Sequence, residues 1–106
     1  MTDTRIVFAT TGSREEAQKI AYAMVERRLA ACVNIVGPID SIYRWEGKVE
    51  SAQEWLLLIK TTAAMFPRIR DAVSELHSYE LPECIALSIE DGSPAYLQWI
   101  RDSVRG

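Results

Sequence analysis

At 106 residues, with 48% hydrophobic and 25% charged residues, the chain has the length of one domain and enough apolar content for a core, which excludes a disordered segment. Fifteen Asp and Glu outnumber twelve Lys and Arg for a net charge of −3, and no basic block extends beyond Arg27-Arg28, so a nucleic-acid binder with a positive face is excluded. The apolar runs are too short to span a membrane, no charged-then-apolar leader precedes the first strand, and two distant cysteines make no disulfide framework, so the expected setting is a reducing cytoplasm.

Residues 1–106 read as a single domain, without repeats or linkers. Arg5 to Thr11 (RIVFATT) is a nearly all-apolar strand ending at Gly12. Ser13 to Leu29 has helical spacing, with Ala17, Ile20, Ala21, Met24 and Val25 on one stripe. Ser13 and Glu16 have capping-box spacing, and Arg27 and Arg28 fall in the last turn, where the helix dipole favours cations. Two long strands follow, Ala31 to Arg44 and Lys48 to Thr61, joined by a hairpin tip within SIYRWEGKVE, Ser41 to Glu50. Gly37-Pro38 interrupts the first, which places it at a sheet edge or at a bulge, since proline cannot donate to a ladder.

A second helix, about Ala64 to His77, tolerates Pro67 in its first turn and carries the stripe Met65, Ile69, Ala72, Val73 and Leu76. Cys84 to Glu90 is a strand with Ile85, Leu87 and Ile89 alternating. Asp91-Gly92 turns the chain, and Ser93-Pro94 opens a last helix with Tyr96, Leu97, Ile100 and Val104 on its buried side. The order βαββαβ plus a C-terminal helix predicts an α+β, ferredoxin-like domain: an antiparallel sheet with a long hairpin between its second and third strands.

That arrangement leaves apolar surface uncovered. Two helices cover one face, yet strand 3 turns Trp55, Leu57 and Ile59 to one side and Leu56 and Leu58 to the other, and strand 1 divides Ile6 and Phe8 from Val7 and Ala9. Each large aliphatic side chain left in water forfeits roughly 1.5–3 kcal/mol. The hairpin strands, at about 3.3 Å per residue, reach roughly 45 Å, and so overhang a body whose radius of gyration should be about 13 Å. CIALSI at the last strand is an uncharged edge of the kind that pairs with another chain. A closed homo-oligomer with sheets turned inward answers all three, with Tyr43 and Trp45 docking on a neighbour.

LAACVNI, SIYRWEGKVE, LLIKT, HSYELPE and YLQWI occur in an order that resembles the CutA family of divalent-cation tolerance proteins, over essentially the whole chain. The resemblance implies a homotrimer of ferredoxin-like subunits, cytoplasmic in bacteria and non-enzymatic, linked to copper and other divalent-metal tolerance. It also implies a trimer similar to that of the PII signalling proteins, so the alternative is a regulator binding a small metabolite or nucleotide in clefts between subunits.

His77, the only histidine, matches the histidine of the family's HxYxxPE stretch, and neutral imidazole suits Cu(II). It is the candidate metal ligand, for a weakly held divalent metal, copper foremost, with no organic cofactor. Some relatives place a second histidine where this chain has Leu76 and a cysteine where it has Ala9. Cys32 and Cys84 fall on opposite sheet edges, about 14 Å apart at the usual strand spacing, and so cannot bridge within one chain. Tyr43, Trp45, Glu46, Lys60, Tyr79 and Glu83 form the second candidate, an intersubunit pocket or interface network. Lys60 ends an apolar strand and wants a carboxylate, Glu83 or Glu46 of a neighbour.

Other functions on this fold lack their residues. The loop ATTGSRE has no CxxC for Cu(I) transfer, and EWLLLIKT lacks the aromatic motif of an RNA-recognition strand. Gly12 and Arg14 alone make a poor phosphate cradle, and no Ser–His–Asp or Cys–His spacing is evident.

Overall fold

The computed structural model describes residues 2–105; the two ends of the predicted domain, Met1 and Gly106, lie outside the described residues. The elements run β1 (Thr4–Thr11), α1 (Arg14–Glu26), β2 (Cys32–Trp45), β3 (Lys48–Thr62), a 3-10 turn (Ala63–Met65), α2 (Phe66–Leu76), β4 (Ile85–Ser88) and α3 (Pro94–Ser103). The sheet order is β2-β3-β1-β4, antiparallel throughout, as the ferredoxin-like reading requires.

Strand pairing sorts the two faces. Val7 stands opposite Ile59 and Ala9 opposite Leu57, and all four are fully buried under α1 and α2. Ala17, Ile20 and Met24 of α1 and Ile69, Ala72 and Val73 of α2 complete this core. The other face carries Ile6, Phe8, Leu56 and Leu58, each only half-buried, beside exposed Val36, Ile85 and Leu87. α3 packs on β3 and β1 and reaches that face at one end, where the Lys60 ammonium lies 5.6 Å from the ring centre of Tyr96.

The hairpin overhangs as expected. The molecule measures 44 × 25 × 22 Å with a radius of gyration of 14.1 Å, and every residue from Ile42 to Ser51 is exposed. Its tip is a two-residue turn with positive φ at both Glu46 (49°) and Gly47 (80°), the backbone that matches strand twist. The Gly37-Pro38 interruption is a register shift between Val36 and Ile39, an edge-strand bulge. Gly37 is required there: a Cβ would stand 2.5 Å from the Trp55 ring.

Several local expectations are corrected. α1 stops at Glu26, before the arginines: Arg28 takes φ 58°, and the N–H groups of Leu29 and Ala30 turn back to the Met24 carbonyl. This left-handed closure is normally glycine's, so an arginine there hides the stop. Val25 is exposed, beyond the buried arc of α1. Ser13 accepts from the Glu16 N–H, but the Glu16 carboxylate leaves the capping box for Ser78. Ser93 stands at the α3 N-cap without a side-chain bond, and Tyr96 is exposed because Leu97 and Ile100 take the buried positions. β4 is four residues, shorter than Cys84 to Glu90, because it pairs with β1 only over Arg5–Phe8.

Candidate functional site

A cleft of about 610 Å³ opens where the hairpin leaves the body, between the ribbon and the segment that follows α2. Tyr43, Arg44 and Trp45 of β2 line one side, Glu54 of β3 and Thr10 of β1 the base, and Tyr79, Glu80, Leu81 and Glu83 the other side. The sheet order brings these together: β1 and β3 are neighbours, and their ends at Thr10–Thr11 and Glu54–Trp55 face the start of the 78–83 segment.

Glu54 anchors the base. It is only 8% exposed, and its Oε2 accepts a 2.9 Å hydrogen bond from the Tyr79 hydroxyl. Burial, then that bond, then the Glu54 charge push the Tyr79 phenol up to about 12. Gly12 leaves the phenol its place: a Cβ there would lie 3.0 Å from the Tyr79 Oη. Burial first and the Glu54 charge second raise the Glu83 carboxyl above its usual range. The cleft therefore holds two carboxylates, and the charge of Glu54 is felt at Glu83.

His77 sits behind the cleft. Its side chain is fully buried, its Nε2 donates to the Thr10 carbonyl at 2.6 Å, and its Nδ1 accepts from the Tyr79 N–H at 3.0 Å. These two bonds fix one tautomer and occupy both ring nitrogens. The Tyr79 ring packs on the imidazole at 4.5 Å between centroids. Glu16 Oε1 comes within 3.2 Å of His77 Nδ1, while the carboxylate accepts from the Ser78 N–H at 2.8 Å and from the Ser78 hydroxyl. Burial raises the Glu16 carboxyl, but Ser78, with His77 and Lys19 nearby, brings it below its usual value overall. Helix α1 thus ties down the segment that carries Tyr79.

The predicted residues divide. Tyr43, Trp45, Tyr79 and Glu83 meet at the cleft. Glu46 is at the hairpin tip and Lys60 at the far end of β3, where its Nζ lies 3.4 Å from the Tyr96 hydroxyl. Within the chain Lys60 therefore meets an aromatic ring and a hydroxyl in place of a carboxylate. Cys32 and Cys84 are both free, and burial raises the Cys84 thiol, which makes it less reactive. Among the described residues no group of three or more His, Cys, Asp and Glu could hold a metal ion, and no helix is long and apolar enough to cross a membrane. The residue that sequence reasoning missed is Glu54. Its signal was an acidic residue opening the apolar run EWLLLI, at a point where the strand enters the body.

The profile described as "CutA1 divalent ion tolerance protein" matches residues 5–103. The chain is 51% identical over 98 residues to the divalent-cation tolerance protein CutA of Thermus thermophilus, covering 92% of this chain and 95% of that protein. It is 46% identical over 100 residues to the chloroplastic protein CutA of Arabidopsis thaliana, covering 94% of this chain but only 55% of that longer protein. A solved structure of the Thermus thermophilus divalent cation tolerance protein superposes with a TM-score of 0.95 at 49% identity, covering 96% of this chain and 99% of the other.

Proposed function

The chain belongs to the CutA1 divalent ion tolerance family, and on that premise we propose that it works as a non-enzymatic homotrimer that holds divalent metal, copper foremost, weakly, in the cytoplasm. The observation that carries the assembly is the uncovered sheet face. Ile6, Phe8, Leu56 and Leu58 lie half-buried beside exposed Val36, Ile85 and Leu87, and a neighbouring sheet would bury them all.

Weak metal binding agrees with the chemistry of His77. Its one ring nitrogen with a lone pair, Nδ1, already accepts from the Tyr79 N–H, so a metal must displace that bond. A single nitrogen without two or three further ligands makes a poor site, and other copies would have to complete it. The same commitment of His77 supports a non-enzymatic role, since the only imidazole is sealed from any substrate. A second reading, a trimeric regulator that takes a small metabolite at clefts near the subunit junctions, is favoured by the cleft itself, whose volume suits a small molecule.

Two measurements test these readings. Sedimentation of the wild type at micromolar concentration should show trimer, with Leu58→Glu and Trp45→Ala shifted toward monomer; a well-folded wild-type monomer refutes assembly. Calorimetry should give weak Cu(II) binding that His77→Ala reduces. Identical isotherms would remove His77 from the site, and the absence of heat in the wild type would remove copper.

A further inference from the structure

We propose that the cleft at the root of the hairpin binds a small organic cation, an ammonium or guanidinium group on an apolar body, with Glu54 and Glu83 meeting the charge and Tyr43, Trp45 and Tyr79 lining the body. This rests on the reading of the cleft as a metabolite site and is independent of copper.

Charge decides the sign of the ligand. Glu54, Glu80 and Glu83 line the cleft against one guanidinium, Arg44, which forms no ion pair with them among the described residues. An anion such as a nucleotide phosphate would enter against three carboxylates. Burial decides which of them matters most. Glu54 is more than nine-tenths buried, and Tyr79 occupies Oε2, while Oε1 has no hydrogen-bond donor among the described residues. A carboxylate this buried, whose Oε1 still reaches solvent and is not taken by any protein donor, gains from a donor that arrives with positive charge. Glu83 lines the same cleft, close enough for the Glu54 charge to disfavour its own, so one cation between them favours the charged Glu83.

Size and lining decide against a bare ion. Mg²⁺ or Ca²⁺ wants about six or more oxygen ligands, and among the described residues no three of His, Cys, Asp and Glu are grouped so that they could hold a metal ion, the three cleft carboxylates included. An ammonium needs only three acceptors, and aromatic faces attract it further. The cleft offers three aromatic side chains and a volume of about 610 Å³, far more than an ion fills.

The probes are benzylammonium, its neutral counterpart benzyl alcohol, MgCl2 and ATP, titrated into the full chain by calorimetry. Benzylammonium should bind at least about tenfold more tightly than benzyl alcohol, and lose about tenfold in Glu83→Gln and in Glu54→Gln. Glu83 is exposed, so its variant stays informative if Glu54→Gln fails to fold. Equal binding of amine and alcohol, unchanged affinity in Glu83→Gln, or binding of Mg²⁺ alone overturns the proposal. Binding of ATP in place of the amine overturns the cation class but leaves the metabolite cleft standing; binding of none of the four overturns both.

Discussion

Replacing Tyr79 with phenylalanine removes one oxygen atom and tests whether the cleft is built around Glu54. The hydroxyl donates to Glu54 Oε2 at 2.9 Å, and the acceptor is 8% exposed. A hydrogen bond to a charged group contributes about 1.5–3 kcal/mol, and more is lost when the partner is left buried and unmatched. Tyr79 is itself 37% exposed, so water can partly replace it and the lower end, about 1.5 kcal/mol, applies. The ring remains to pack on His77, which keeps the change local. With a guanidinium slope of about 4 kcal/mol/M, the unfolding midpoint should fall by about 0.4 M. A cycle with Glu54→Ala, at fixed protein concentration, should show coupling of about 1 kcal/mol or more. Coupling within about 0.3 kcal/mol of zero would show that the bond holds nothing in place. Absorbance titration gives a second readout. The fold favours the neutral phenol, so Tyr79 contributes stability below pH 10.0 that is lost as pH rises toward about 12. In Glu54→Ala its ionisation should move back toward 10.0.

The Glu83 carboxyl is raised, so the folded chain keeps a proton that the unfolded chain releases above 4.5. Stability therefore declines as pH rises through the window that opens at 4.5, and Glu83→Gln should flatten that slope in melts across pH 4–7 without destabilising the protein at pH 7. A steeper slope in the variant would refute the assignment. Gly37→Ala places a methyl carbon 2.5 Å from the Trp55 ring, and should cost about 1–3 kcal/mol in thermal unfolding. A melt equal to wild type would mean that the bulge yields.

The frame was legible because its signals are local. The apolar stripe read for the second helix came out buried at Met65, in the 3-10 turn, and at Ile69, Ala72 and Val73 of α2, with Leu76 half-buried, and the alternation of strand 3 divided its faces as written. What escaped depended on groups far apart in sequence. Glu16 looked like a capping-box partner for Ser13, three residues away, but it bonds Ser78, 62 residues on. Glu54 is marked locally only by opening the apolar run EWLLLI; its partner, the Tyr79 hydroxyl, comes 25 residues later. Lys60 was expected to meet a carboxylate of a neighbouring copy; what spacing did not show is that within the chain its Nζ meets the Tyr96 hydroxyl, 36 residues on. His77 was singled out for its type and its place in the HSYELPE stretch, and its surroundings in the fold, two hydrogen bonds and a tilted ring, were not readable from spacing.

The sheet has one sealed side and one half-open side, and under the proposed assembly how much protein is present becomes a term in how firmly it stays folded. Where copies cover the half-open side, mass action makes dilution act as a denaturant, and the melting point must climb with each tenfold rise in chain concentration.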